Sequence, residues 1–266
     1  MTTGRDAARE VLASHAAGGG ILVGEAVGVA GIAAGIKGSL LLTPLSEATA
    51  AGAAVGLALA GKRPLVELLD AEGLGRAVEA LAESVDVSRR SAGNFRAPVV
   101  ILSPLPPVGV LPRLPEGVRR FVVANAADLG PALVAALAAD TPAVVLYGGA
   151  ATGPIRQPPP TTFGAPHTVR EGAGVVVLAE GDGVATALEG AGSAHIVDLR
   201  GERNPAVIAA LIAPTGRAVF CTHESAEALF PAVNAAFWRL EAPPAFVHPV
   251  QGAAAVQAAV HASATA

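Results

Sequence analysis

Short apolar runs recur along this chain, most of them separated by enough residues for a helix. ILVG at 21–24, LLL at 40–42, PLVELL at 64–69, PVVIL at 98–102, RFVVA at 120–124 and AVVLY at 143–147 mark the first half. Each reads as a buried strand. The segments between them carry helical signals. Residues 5–16 are amphipathic. Residues 46–60 begin with Ser46 as an N-cap and continue in small residues, which let a helix approach its neighbour closely. Residues 73–91 place Arg76, Glu79, Glu83, Asp86 and Arg90 on one face, and 129–139 form a further helix. Strands alternating with helices at this spacing predict an α/β domain with a mainly parallel sheet.

At 150–171 the pattern stops. ATGPIRQPPPTTFGAPHTVREG holds three consecutive prolines and no periodicity, and reads as an extended linker. The alternation then resumes. GVVVLAEG, HIVDLR, RAVFCTHE and 245–250 are strands; helices begin at 184 and cover 204–213 and 226–239. The expected organisation is a larger parallel-sheet domain over 1–149, a proline-rich linker over 150–171 and a smaller α/β domain over 172–266.

Composition narrows the function. Hydrophobic residues make up 52% of the chain and charged residues 15%, so it folds, and the scarcity of charge hints at a surface covered by a partner. The net charge is −4 and Lys and Arg occur at most in pairs; a nucleic-acid partner would need a basic stripe. A single cysteine, Cys221, excludes an internal disulfide and a zinc cluster. MTTGRDAARE is not a signal peptide, and the apolar run behind Glu47 ends at Lys62, too short for a bilayer. The expectation is a cytoplasmic protein with no membrane partner.

Glu47, in TPLSE, stands at the head of a long run of small apolar residues with no base near it in sequence. It can be an exposed acid in a first helical turn, stabilised by the helix dipole. It can instead be a carboxyl group in a water-poor pocket, where desolvation raises its pKa and suits it to share a proton.

The order of motifs decides for the second reading. TPLSE, AVGLALAGKRPLVE and RSAGNFRAPVVI resemble the pyrimidine-binding domain of the β subunit of thiamine-diphosphate-dependent 2-oxoacid dehydrogenases. VREG, GVVVLAEG, HIVDLR and GRAVFCTHE resemble the C-terminal domain that follows it, shared with transketolase. ILVGEAVG resembles the family's first strand and acidic loop, and RSAGNFRAPVVI favours the dehydrogenase β subunit over a split transketolase half. The fold class implied is a pyrimidine-binding parallel-sheet domain followed by a smaller transketolase-like C-terminal α/β domain. The family's matching glutamate hydrogen-bonds the cofactor's aminopyrimidine, so the resemblance makes Glu47 the catalytic acid and the chemistry the cofactor's. It places Leu45, Glu25 and Asp70 at the cofactor and no metal ligand in this chain. An α-type subunit would hold the diphosphate and magnesium in an α2β2 assembly acting on a small-molecule substrate. The class of reaction is 2-oxoacid decarboxylation or transketolase-like two-carbon transfer. His223–Glu224 matches an interface or structural pair, and Asp198 orients a loop at its strand end.

The pattern also breaks. The family's aromatic positions against the pyrimidine fall near Asp70 and Gly73 in ELLDAEGLGRAVEAL, which removes the apolar platform. The segment from ILSP to LPPVGVLPRLPEGVRRFVVA is short and lacks the family's histidine. His15, His167, His195, His248 and His261 read as structural or solvated. Gly181-Asp182-Gly183 with Asn204 mimics a diphosphate-and-magnesium motif in the wrong domain context. These losses leave a second reading open, a non-catalytic subunit that stabilises an active partner.

Overall fold

The structure is a computed structural model and describes residues 2–106 and 111–265. Within them the chain forms two compact units, one of residues 2–106 and 112–163, the other of Leu111 and 164–265.

In the first unit, α1 (Gly4–Ala17) precedes β1 (Ile21–Gly24), β2 (Leu40–Leu42), α2 (Glu47–Leu59), β3 (Pro64–Glu67) and α3 (Gly73–Arg90). Then come β4 (Val100–Pro104), β5 (Arg119–Val123), α4 (Leu129–Leu137) and β6 (Ala143–Tyr147). The six strands form one sheet in the order β2-β1-β3-β4-β6-β5, and all its pairings are parallel. Parallel strands need crossovers on the sheet faces, so both faces are covered and the strands stay apolar on both sides. All four residues of β3 are buried, as are the first four of β4 and β6. One face packs Leu22, Leu65, Leu102, Phe121 and Val145 against Leu12 of α1 and Leu129 and Leu133 of α4.

Local chemistry sets the helix ends. Thr3 and Asp6 form a reciprocal capping box at α1, which satisfies two backbone donors that have no partner within the helix. Ser46 caps α2 by accepting from the Thr49 amide at 3.3 Å. The stretch read as a linker is partly docked. Thr3 bridges Pro154, and the Ile155 amide donates to the Thr2 carbonyl at 3.0 Å.

The second unit contains β7 (His167–Arg170), β8 (Val176–Ala179), α5 (Asp182–Gly190), β9 (His195–Asp198) and α6 (Pro205–Ile212). It continues with β10 (Ala218–Cys221), α7 (Ala226–Ala236), β11 (Ala245–Val247) and α8 (Gly252–Thr265). The sheet order is β11-β10-β8-β9-β7, parallel except for β7, which runs antiparallel to β9. Two elements differ from the sequence reading. Strand β7 lies in the stretch read as linker, and α8 occupies an alanine-rich tail that gave no helical reading. The strand expected over 245–250 stops at Val247, because Pro249 has no amide to continue the ladder. Part of the shortened segment noted above, 107–110, lies outside the described residues.

One carboxylate shapes the loop after β1. Glu67 ends β3 and is only 3% exposed. It accepts the Ile32 amide, and the Ala33 amide at 3.1 Å. Gly31 takes φ +71°, and a side chain there would meet the Glu67 carboxylate; glycine alone fits. Arg5 holds the same turn by donating to the Gly31 carbonyl at 2.8 Å. Burial pushes the Glu67 carboxyl above its ordinary value of 4.5, and the two amides offset this only in part.

Two outcomes follow from this packing. Leu102→Ala leaves a hole in the middle of a buried sheet and should cost about 2–5 kcal/mol, read from urea unfolding followed by circular dichroism. For Glu67, the unfolded chain releases its proton near 4.5 while the folded chain still holds it. Its contribution to stability is therefore greatest in acid and falls as pH rises through its raised folded value. Glu67→Gln cannot titrate, so its melting temperature relative to the natural chain should move upward from about pH 4 to neutrality. A difference that stays flat with pH would show that Glu67 is not held protonated.

Candidate functional site

Strands β1, β2 and β3 run in the same direction, so their carboxyl ends open on one edge. The chain leaves β1 for β2 on one side and crosses back to β3 on the other. Loops part at such a point, and it is where open α/β sheets usually bind ligands. Here a hollow of about 10 Å³ is lined by Gly24, Glu25, Thr43, Ser46, Glu47, Ala50 and Glu67–Leu69. That is room for about one water molecule. Two of its polar atoms, Glu25 Oε2 and Thr43 Oγ1, are buried and make no hydrogen bond within the chain.

The structure places Glu25 and Glu47 at the same hollow and adds Glu67. The sequence signal for Glu67 was weak, a charged residue inside the apolar run PLVELL. Leu45 and Asp70 do not line the hollow. The Leu45 side chain stands 86% exposed on the turn beside it. Asp70 accepts the Gly73 amide at 2.8 Å and so fixes the first turn of α3.

Glu47 itself differs from expectation. It opens α2, with a side chain 13% exposed, and it does have a basic partner. Arg76, one turn into α3, donates through Nε to Oε2 at 2.7 Å and through Nη2 to Oε1 at 2.6 Å. This fork-to-fork geometry gives two parallel charge-assisted bonds. It holds the Glu47 carboxyl below its ordinary value, not above it as an apolar pocket would, and burial opposes this more weakly. The base was hidden in sequence because it lies 29 residues away, brought near by the packing of α2 on α3.

Gly73 lets the pair form. A β-carbon at position 73 would sit 2.9 Å from Glu47 Cγ and 3.1 Å from its Oε1. This is one of the two positions where the resemblance led us to expect an aromatic ring, and no aromatic side chain lines the hollow. Around it, exposed apolar side chains gather on the same loops: Val29 at 77%, Leu42 at 59% and Leu69 at 40%, besides Leu45.

The carboxyl edge of the second sheet carries a different arrangement. Arg203 donates to Glu180 at 2.5 Å and to Glu224 at 2.7 Å, both carboxylates being buried. His223 is buried edge-on to His248, ring centres 5.0 Å apart. Asp198 accepts the Arg200 amide at 3.0 Å and so orders the loop at its strand end. The Gly181-Asp182-Gly183 and Asn204 motif resolves into two helix starts. Asp182 opens α5, and Asn204 caps α6 by accepting from Ala206 at 2.9 Å. His15 is tied to the Arg63 carbonyl through Nε2 at 2.8 Å, and His195 lies 3.2 Å from Glu171. Cys221 is buried, and that burial pushes its thiol up to about 12, so it is no nucleophile at neutral pH.

No family model matches this chain, and no curated protein does. Solved structures do match. One is a split-gene transketolase in the form of an inactive β4 tetramer, with a TM-score of 0.76 at 20% identity, covering 99% of this chain and 98% of that one. At this identity the likeness carries the fold. With a six-stranded parallel sheet followed by a mixed five-stranded one, the chain has a transketolase-like two-domain fold.

Proposed function

We propose that this chain is the β-type half of a two-subunit, transketolase-like enzyme that uses thiamine diphosphate and works only with an α-type subunit. The observation that carries this reading is the position of Glu47. It stands on the first turn of α2, at the carboxyl edge of a parallel sheet, facing a hollow that still holds two unpartnered polar atoms. The exposed apolar side chains on the surrounding loops are what a partner subunit would cover. An inactive β4 tetramer of a split transketolase is consistent with a β-type chain that assembles with itself but has no turnover alone.

The residues present fit the cofactor in kind. Bound there, the aminopyrimidine would supply the group that takes a proton from the reactive thiazolium carbon. Glu47 would hold or release a proton at one carboxyl oxygen facing that ring. Glu25 and Thr43 would offer the ring's polar atoms the bonds they lack within the chain. Leu45 and Leu69 would help keep water out once the partner closes over them, and Asp70 would hold α3 in register. Among the described residues, no three His, Cys, Asp or Glu side chains are grouped to hold a metal ion, so this reading leaves magnesium and diphosphate to the partner. The donor could be a 2-oxoacid or a ketose; the transketolase likeness favours the ketose.

A second reading, a non-catalytic subunit that stabilises an active partner, draws on the Arg76 pair and the lack of an aromatic platform. Purification of the chain with its native partner tests both. If the first reading holds, an α-type subunit and thiamine diphosphate come with it. Glu47→Gln should then keep the partner yet slow proton exchange at the thiazolium carbon, followed by NMR, by roughly 10²–10⁴-fold. A complex without cofactor, or exchange untouched by the variant, would establish the second reading instead.

A further inference from the structure

The pair between Glu47 and Arg76 does more than neutralise a charge. It occupies both oxygens of the one carboxylate that the proposed site depends on. The Glu47 side chain also fills the notch left by Gly73, where any β-carbon would press against it. With both in place, the hollow behind them has room for about one water. The site as it stands is shut, and these residues of its own shut it.

The closure is built to open. Arg76 is half exposed, so solvent screens its side of the pair. A second acceptor stands beside it, because Asp70 Oδ1 lies 3.8 Å from the same Nη2 atom and its side chain is 58% exposed. The guanidinium can therefore leave Glu47 and stay paired, by turning toward Asp70. Glu72, one residue before α3, adds another negative charge acting on Arg76, which also favours that outward position.

We propose that Arg76 is an autoinhibitory latch, holding Glu47 in the Gly73 notch and handing it over when a ligand with a hydrogen-bonding ring enters. This rests on the reading of Glu47 as the acid that faces the cofactor. The latch keeps a lone β-type chain from exposing an unpaired carboxylate in an apolar rim. It also makes cofactor binding a competition with an internal cation, so any change that weakens the pair tightens binding.

The test titrates thiamine diphosphate with magnesium into the full-length chain in complex with its native α-type partner. The readouts are the carbon chemical shift of the Glu47 carboxyl group and the nitrogen shift of the Gly73 amide. Arg76→Met removes the latch. Gly73→Ala unseats Glu47 from the other side, at a position where alanine suits a helix better than glycine. Each should tighten binding about tenfold, because the binding-competent fraction of the site rises when the internal competitor is removed. Adding Glu47→Gln to either should remove the gain. If neither variant tightens binding while Glu47→Gln alone weakens it, Glu47 is the cofactor acid and the latch is overturned. If Glu47→Gln binds as the natural chain does, or no form responds, the reading of Glu47 falls and takes the latch with it.

Discussion

A parallel sheet covered on both faces has no place for polar side chains except at the ends of its strands. That constraint organises the first unit. Its inner strands are mostly apolar, and chemistry begins near their carboxyl ends: Glu25 just after β1, Thr43 just after β2, Glu67 as the last residue of β3. Three carboxylates, with Glu47 opening the next helix, then share one edge because the strands run in one direction. The second unit repeats the logic with Glu180, Asp198 and His223. There Arg203 joins buried carboxylates into a closed network. The same architecture thus yields one edge with a hollow and one that is tied shut.

Two acids of the first edge, Glu67 and Glu47, behave differently because their surroundings differ. Glu67 is buried and accepts only amide hydrogens, so desolvation wins and its carboxyl is shifted upward. Glu47 has a guanidinium across both oxygens, so the charge wins and its carboxyl is shifted downward. Glu67 is thereby suited to pinning the Gly31–Ala33 turn. Glu47 is held ionised until its partner is displaced. A glycine decides each case: Gly31 makes room for the Glu67 carboxylate, and Gly73 for the Glu47 side chain.

The strands of both units were legible because apolar runs of four or five residues, set apart by helical segments, admit few other folds. Ser46 as a cap and Glu47 at the head of α2 were legible from local chemistry. Helix α8 was not, because an alanine-rich tail has little contrast between its faces. Strand β7 was not, because its partner β9 lies 28 residues on and proline dominates what precedes it.

For this chain, then, the sequence alone determined the strands and helices other than β7 and α8, the parallel sheet and the presence of an acid at the start of α2. These depend on neighbours within a turn or on periodic burial. Only the tertiary structure decided that Arg76 reaches Glu47, that Glu67 joins it, and that Leu45 and Asp70 stand outside the hollow. Arg76 and Glu47 lie 29 positions apart, and Glu67 lies 35 from the Ile32 amide it accepts. The energy of such contacts depends on geometry that a linear pattern does not encode, and on whether burial or a facing charge prevails at a given carboxylate.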